Sequence, residues 1–281
     1  MKTYLDCIPC FFEQALRAGR VATDDERVLK HLLDELGRLL KDISLDSTPP
    51  ETGRLVYQLV NRITGNPDPF KGLKRESTVK ALSLYPQMKQ VIEQADDRLL
   101  TAIRIAIAGN IIDFGPSGTF DIEATLDDAL TRNFAVCDYE IFKRDLATAG
   151  QILYIGDNAG ETVFDRLLIE QLDKPTLFVV REQPILNDAT REDALEAGID
   201  KVATIVSSGA DAPGAVLNTC SPEFRKMLEE AEFIIAKGQG NYEALSNYHR
   251  PIFFLLKAKC KLIADDLGVS IGDIILKGIN V

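Results

Sequence analysis

Asp157 and Asn158 are the residues of this chain whose types and spacing most directly suggest chemistry. They follow the apolar run 152–155, lie between Gly156 and Gly160, and precede a segment with the composition of a helix. This pattern predicts a carboxylate and an amide oxygen at the C-terminal end of a buried parallel strand, where open α/β sheets bind ligands. Two adjacent oxygen donors suit a hard divalent cation such as Mg²⁺ or Mn²⁺. The alternative is an ordinary turn in which Asp157 caps the next helix.

Three further polar loops follow apolar runs in the second half of the chain. They contain Asp188, the pair Ser208 and Gly209, and Lys237 followed by Asn241. If the sheet is parallel, these loops share one edge with the first loop and supply carboxylate, hydroxyl, amide and ammonium groups to one crevice. We expect Ser208, Gly209 and Asn241 to contact the substrate there.

This set of side chains permits phosphoryl hydrolysis. Asp157, Asn158 and Asp188 would bind a divalent ion (Mg²⁺, Mn²⁺, Co²⁺ or Ni²⁺), which polarises phosphoryl oxygens and orients a nucleophilic water. Asp157 and Lys237 are the predicted catalytic residues, because the ammonium neutralises developing negative charge. Whether the nucleophile is that water or Asp157 is left open. So are two structural alternatives, in which Asp188 is a helix N-cap and Lys237 is a surface lysine.

Polar residues also continue an apolar helix face in the first half of the chain. Ile103, Ile107 and Asn110 lie on one face of a predicted helix at 96–112, and Asp113 follows three residues later. Polar groups in such positions need a partner. We therefore expect Asn110 and Asp113 to close the crevice from the helical side and to contact the substrate. A capped helix end with an internally bonded Asn is the alternative.

Cys7 and Cys10 form a CxxC motif within a predicted helix. Its position in a helical segment argues against a thioredoxin-type redox centre, and the second close Cys pair of a four-Cys zinc site is missing. The pair is a candidate second metal site, completed by Cys260 or an outside ligand; two partly buried small residues are the alternative. The five cysteines are odd in number and widely spaced, which predicts a reducing compartment and no disulfide framework.

The two halves of the chain have different patterns. Residues 1–147 have helical periodicity, whereas from residue 148 short, β-branched apolar runs alternate with helical segments. This alternation predicts an α/β fold, with a Rossmann-like, mostly parallel sheet domain at 148–281 preceded by an all-α helical domain at 1–147. The predicted strands are 152–155, 176–180, 202–206, 233–236 and 252–256.

Composition excludes several classes of protein. A net charge of −11 argues against a nucleic-acid groove. The chain has no apolar run of the roughly 18 residues that span a bilayer, and its first residues do not resemble a signal peptide, so we expect a cytoplasmic protein. Only two histidines are present, which argues against a His-based zinc hydrolase. A P-loop motif is also missing. A homo-oligomer is left open.

Together these residues resemble the damage-control phosphatase family (domain of unknown function 89), in particular its prokaryotic stand-alone subgroup with an N-terminal CxxC. The resemblance covers essentially the whole chain and rests on the motifs at 7–10, 68–71, 109–113, 156–161, 181–182, 187–188, 208–209 and 237–243. It implies a helical domain joined to a Rossmann-like domain, and metal-dependent hydrolysis of sugar phosphates or damaged phosphometabolites. It also implies the following site residues: metal ligands Asp157, Asn158 and Asp188, and substrate or phosphate contacts Asn110, Asp113 and Lys237.

Two other functions remain open. An S-adenosylmethionine-dependent carboxyl methyltransferase would need a glycine loop against its cofactor and an acidic residue after the second strand, which Glu182 could supply. A non-catalytic metal-binding protein would use only the Cys7 and Cys10 pair. Phosphate release in the presence of a divalent metal distinguishes the phosphatase from both.

Overall fold

The computed structural model describes residues 1–109 and 130–281. Its helices are α1 (Cys7–Ala22), α2 (Glu26–Lys41), α3 (Pro49–Thr64), α4 (Lys71–Gln94), α5 (Arg98–Gly109), α6 (Tyr139–Thr148), α7 (Thr162–Leu172), α8 (Arg191–Glu196), α9 (Pro222–Glu230), α10 (Gly238–Leu245) and α11 (Lys261–Leu267). Its strands are β1 (Val136–Cys137), β2 (Ile152–Ile155), β3 (Thr176–Val180), β4 (Thr204–Ser207), β5 (Phe233–Lys237), β6 (Ile252–Lys257) and β7 (Ile274–Ile279). Within these two ranges, no helix has the length and apolar character needed to cross a membrane.

The strands of the described residues form one sheet in the order β1-β7-β6-β5-β2-β3-β4. Neighbouring strands among β2 to β6 are parallel, whereas β7 is antiparallel to β6 and parallel to β1. The predicted α/β class with a mostly parallel sheet is therefore confirmed. Ile155 at the end of β2 lies beside Val179 of β3 and Ala236 of β5. The loops after these three strands consequently begin at one edge of the sheet, where open α/β sheets bind ligands.

Four of the five predicted strands have the predicted position to within one residue. The strand predicted at 202–206 begins two residues later, because Val202 N donates to Ile199 O (3.0 Å) and belongs to the preceding 3₁₀ turn. We did not predict β1 or β7. β1 lies within 1–147, for which we predicted helices only; it has two residues and pairs with β7 at one edge of the sheet.

Alternate residues of the central strands point to opposite faces of the sheet, as strand geometry requires. Tyr154 and Phe178 belong to the core that α5, α6 and α7 cover, whereas Ile155 and Val179 belong to the core on the face of α9, α10 and α11. Phe164 of α7 is fully buried in the first of these cores. Burial of one such side chain contributes about 1.5–3 kcal/mol to the free energy of unfolding.

The first three helices enclose a separate apolar cluster that includes Phe11 and Leu36. α4 and α5 instead contribute to the core of the sheet, for example through Ile103. A Cβ added to Gly109, at the end of α5, would lie 2.8 Å from the ring of Phe164, so glycine allows α5 to approach α7 closely. The division at residue 147 stays a prediction, although helices on its N-terminal side share a core with the sheet.

Candidate active site

Two loops meet at the C-terminal ends of β2 and β3. Ala189 N donates to Asp157 O (2.8 Å), and Asn158 forms an antiparallel bridge with Asp188. The side chains of Asp157 and Asp188 are both buried. The structure therefore brings together the three residues for which we predicted metal binding, from two loops that are thirty residues apart in sequence.

Neither aspartate has the helix-capping role that was its alternative. α7 begins five residues after Asp157. The N-cap of α8 is Thr190, whose backbone N–H donates to Asp193 Oδ2 (2.9 Å). Asp188 instead accepts a hydrogen bond from Arg181 Nε at 2.8 Å. Both carboxylates are therefore held within the contact between the two loops.

Lys237 is fully buried at the end of β5, so the alternative of a surface lysine is wrong. Its Nζ donates to Asp165 Oδ1 (2.6 Å) and to Glu161 Oε2 (3.3 Å). Tyr154 OH donates to the same Oδ1 of Asp165 (2.7 Å). Burial lowers the pKa of an ammonium, but Asp165 and Glu161 more than offset this effect and raise the pKa of Lys237. The site therefore contains a fixed positive charge.

Arg181 is a buried cation that we did not select as a site residue from the sequence. Its Nε donates to Asp188 Oδ2 (2.8 Å) and its Nη2 to Asn241 Oδ1 (3.2 Å). Its Nη1 is buried and has no hydrogen-bond partner among the described residues. The rigid guanidinium fixes the orientation of Asp188, one of the predicted metal ligands.

Glu161 and Asp165 are two further buried carboxylates that we did not select. They follow Asp157 at intervals of four residues, and Asp165 lies beside the fully buried Val163 and Phe164 in α7. A carboxylate in such an apolar run needs a buried partner, and this pattern is the signal that could have identified Asp165. Its Oδ2 is buried without a hydrogen-bond partner in the part of the chain that the structure describes.

Asn241, a predicted substrate contact, is fully buried and bonded to the protein. Its Nδ2 donates to Gly156 O (3.1 Å) and Lys237 O (2.6 Å), and its Oδ1 accepts from Ala215 N (2.9 Å) and from Arg181. These bonds tie together the segments after β2, β3, β4 and β5. A contact between this side chain and a substrate would require one of them to break, so the geometry favours a positioning role for Asn241.

The two predicted substrate contacts after β4, Ser208 and Gly209, are also hydrogen-bonded to the protein. Ser208 Oγ donates to Val180 O (2.9 Å), and Gly209 N donates to Ser207 Oγ (3.0 Å). Contact of Ser208 or Gly209 with a substrate stays a prediction. Two further predicted contacts lie outside the described residues, namely Asn110 and Asp113.

The site has an excess of buried negative charge. It contains four buried carboxylates but two buried cations, a formal net charge of −2 when all are ionised. Burial raises the pKa of Asp157, and the nearby Glu161 and Asp188 raise it further. Burial also raises the pKa of Asp188, and that of Asp165 to about 6. A bound divalent cation would remove the formal excess.

The donor set fits a hard divalent cation. Two carboxylates and the amide of Asn158 supply oxygen ligands once that amide turns its Oδ1 inward; its Nδ2 donates to Glu161 Oε1 (2.5 Å). Gly238, at φ 78°, makes room for the site, because an added Cβ would lie 1.9 Å from Asp157 Oδ2. In residues 1–109 and 130–281, no three His, Cys, Asp or Glu side chains already have the arrangement of a metal site. The predicted ligand set does not meet this criterion, because it contains two carboxylates, those of Asp157 and Asp188, and the amide of Asn158.

The CxxC motif lies in the first turn of α1. Cys7 is buried and Cys10 is exposed, and neither forms a disulfide. Burial raises the pKa of both thiols. Both residues line a cavity of about 360 Å³ together with Cys260. Metal binding by Cys7 and Cys10 stays a prediction at this point.

The sequence and the fold match proteins of one family. A crystal structure of a family member (domain of unknown function 89) from Pyrococcus horikoshii is similar over 98% of each chain, with a TM-score of 0.88 and 32% identity. A damage-control phosphatase of Archaeoglobus fulgidus is 35% identical over 96% of this chain and 97% of its own. A damage-control phosphatase of P. horikoshii is 34% identical over 98% and 97%, respectively. An uncharacterised protein of Methanocaldococcus jannaschii is 39% identical over 96% of this chain and 93% of its own.

The family model for the damage-control phosphatase ARMT1-like domain matches residues 3–275, and so includes the loops after β2, β3 and β5. The match extends from the N-terminal helices to the last strand. By this match and by the near-complete coverage of its relatives, the chain belongs to the damage-control phosphatase ARMT1-like family.

Proposed function

We propose that this protein is a metal-dependent phosphatase that hydrolyses small phosphorylated metabolites. The observation that carries the proposal is the contact between the loops after β2 and β3, which joins Asp157, Asn158 and Asp188 beside two buried cations. Metal-dependent hydrolysis of a phosphate ester uses oxygen ligands for the metal ion and is helped by a cation near the phosphoryl group. The names of two relatives, both damage-control phosphatases, support the same class of reaction.

Asp157, Asn158 and Asp188 would hold the divalent ion, for which Mg²⁺, Mn²⁺, Co²⁺ and Ni²⁺ are the candidates. When bound, the ion polarises phosphoryl oxygens and lowers the pKa of a coordinated water. The excess negative charge of the buried carboxylates favours the ion in the site. Arg181 contributes indirectly, because its Nε holds Asp188 Oδ2 at 2.8 Å.

Lys237 would stabilise the negative charge that develops on the transferred phosphoryl group. Asp165 and Glu161 hold its ammonium in position before a substrate arrives, so no reorganisation is needed during the reaction. We favour water over Asp157 as the nucleophile. The residue two positions after Asp157 is Ala159, so this loop lacks the second aspartate that an aspartyl-phosphate mechanism would use as its acid.

A phosphatase screen tests the proposal. Purified protein is incubated with a library of phosphorylated metabolites and each of the four metals, and inorganic phosphate is measured. We expect phosphate release that EDTA abolishes and added metal restores. Loss of a residue that supports a metal ligand costs about 10–100-fold in activity. Asp157→Asn should cost more, because it removes a proposed ligand itself. Asp173→Asn is the matched control, because Asp173 is exposed and its left-handed conformation suits Asn.

Assays of the same protein preparations distinguish the phosphatase from the two alternative functions. A carboxyl methyltransferase would transfer a methyl group from S-adenosylmethionine and would release no phosphate. A non-catalytic metal-binding protein would do neither. Metal-independent phosphate release, or equal release by the wild type and Asp157→Asn, would exclude the site that we propose.

A further inference from the structure

Three of the five cysteines of this chain converge on one cavity, which lies between α1 and α11 and has a volume of about 360 Å³. Cys7 and Cys10 come from the first turn of α1, whereas Cys260 is the N-cap residue of α11. We infer that this cavity is a binding site for a thiophilic divalent cation such as Zn²⁺, with the sulfurs of Cys7, Cys10 and Cys260 as ligands. This inference is independent of the proposed phosphatase activity.

Each of the three sulfurs accepts a hydrogen bond from an N–H group. Such donors orient the sulfur ligand before the metal arrives. A thiol that serves only as a small apolar side chain does not need them. The donors come from three separate positions, with Tyr4 N to Cys7 (3.5 Å), Gln14 Nε2 to Cys10 (3.0 Å) and Gln239 Nε2 to Cys260 (3.5 Å).

A carboxylate is available as a fourth ligand. Gln239 Nε2 donates both to Cys260 Sγ and to Glu243 Oε1 (2.8 Å), so the sulfur and the carboxylate share one donor. Glu243 also lines the cavity. Three thiolates and one further ligand complete the tetrahedral set that Zn²⁺ prefers in structural sites.

The thiols must move to share one ion, because no three such ligands among the described residues already stand in a metal-binding arrangement. Cys10 can do so, since its side chain is exposed, and residues three apart on a helix lie on the same face. All three cysteines are free of disulfides. On binding, each thiol releases its proton to solvent and its sulfur forms a bond to the ion.

The ion would connect two parts of the chain that are far apart in sequence. Cys7 and Cys10 belong to the N-terminal helices, and Cys260 follows the sheet strand β6. The proposed site therefore holds α1 against the sheet, and Zn²⁺ should stabilise the folded protein. The proposed cysteine site also differs from the proposed site at Asp157 in its preferred cation. Sulfur ligands select soft cations, whereas the oxygen ligands at Asp157 select harder ones.

Titration with Co²⁺ in a reducing buffer tests the inference, because Co²⁺ bound to thiolates gives a charge-transfer absorption in the near ultraviolet. We expect the wild type to develop this band as Co²⁺ is added and to lose it on addition of Zn²⁺. Cys10→Ser and Cys260→Ser should each abolish it. Cys137→Ser and Cys220→Ser are matched controls that should retain it, because neither residue lines the cavity.

Two further variants separate this site from the phosphatase site and from loss of fold. Asp157→Asn should retain the band, so failure of the proposed function leaves this result unchanged. Gln14→Ala should weaken Co²⁺ binding about tenfold, because it removes the donor to Cys10. It also removes the acceptor of the Tyr57 hydroxyl (2.7 Å). Thermal unfolding verifies that each variant is folded. A folded wild type without the band, or a band that persists in Cys260→Ser, would overturn the inference.

Discussion

Lys237 and Asp165 form a fully buried ion pair, with 2.6 Å between Nζ and Oδ1. Burial of two charges costs free energy that their mutual attraction rarely exceeds, so apolar residues of similar size would often be as stable. The pair is also incomplete, because Asp165 Oδ2 is buried without a hydrogen-bond partner in the described ranges. We interpret the pair as a device that holds the ammonium of Lys237 beside the loops for which we propose metal binding.

Replacement of Lys237 by Met should affect both stability and activity. It leaves Asp165 and Glu161 buried without their cation, which should lower the free energy of unfolding by about 3–5 kcal/mol. It should also reduce kcat about 100- to 1000-fold, because the charge opposite the phosphoryl group is lost. Chemical denaturation and phosphate release measure the two effects.

The double variant Lys237→Met/Asp165→Asn separates these two roles. Removal of the carboxylate's charge should restore much of the lost stability, since no uncompensated charge of this pair remains. Activity should remain as low as in Lys237→Met. If the double variant regains wild-type turnover, Lys237 has no part in the reaction.

Arg181→Lys should weaken metal binding while the protein stays folded. A lysine keeps the charge but cannot donate to Asp188 and Asn241 at once from a rigid fork. We expect an increase of about 10–100-fold in the Kd for Mn²⁺, the range found for residues that orient a metal ligand. Isothermal titration calorimetry measures it, with the exposed Arg225→Lys as the control. Equal Kd values for the two variants would contradict the role given to Arg181.

Gly238→Ala should displace Asp157. Gly238 has a φ of 78°, and a Cβ there would lie 1.9 Å from Asp157 Oδ2, so both the backbone and the carboxylate must shift. Gly268→Ala is a close control, because Gly268 has a similar φ of 68° but no atom within 4 Å of the added Cβ. The left-handed backbone should cost about 1–2 kcal/mol in both variants. Only Gly238→Ala should lose Mn²⁺ binding and phosphate release; loss in both would refute the steric explanation.

The stability of the metal-free protein should decrease as pH rises from about 4 to about 8. Burial raises the pKa of Asp157, Asp188 and Asp165, the last to about 6, above the ordinary value of about 3.9 for an unfolded chain. The folded state therefore binds more protons than the unfolded state in this interval, and each rise in pH favours unfolding.

Saturating Mn²⁺ should reverse this trend, because metal ligands bind in their deprotonated form and the ion therefore binds more tightly as pH rises. The measurement is the Tm of the protein across this pH interval, with EDTA and with Mn²⁺. Asp173→Asn should behave as the wild type does. A Tm with EDTA that rises steadily with pH would contradict the raised pKa values of these three carboxylates.

The fold was largely predictable from the sequence because the central strands are buried on both faces. Such strands are continuous apolar runs bounded by polar loops, as in β2 and β3. β1 has two residues and is too short for a periodic signal. β7 contains Lys277 and Gly278 and pairs antiparallel to β6, so it does not follow the alternation of strand and helix that identified the other strands.

The position of the site residues was predictable where polar residues end a strand or closely follow it, as Lys237 and Asp157 do. It was not predictable where a side chain reaches the site from a distance. The sequence does not indicate that Arg181 turns towards Asp188, because that depends on how the loop after β3 folds back. Asp165 has a local signal, a carboxylate among buried apolar residues of α7, but its partner lies 72 residues away.

Parallel measurement of Mn²⁺ binding and phosphate release in the wild type and Asp157→Asn is the most direct test of the proposed metal site. Calorimetry would measure Mn²⁺ binding, and a phosphate assay with the substrate identified by the screen would measure release. Both would be run on the same protein samples. We expect that the wild type binds Mn²⁺ and releases phosphate, that EDTA stops the release, and that Asp157→Asn loses both properties while it remains folded. Phosphate release that survives EDTA, or Mn²⁺ binding that is unchanged in Asp157→Asn, would contradict the proposed metal site.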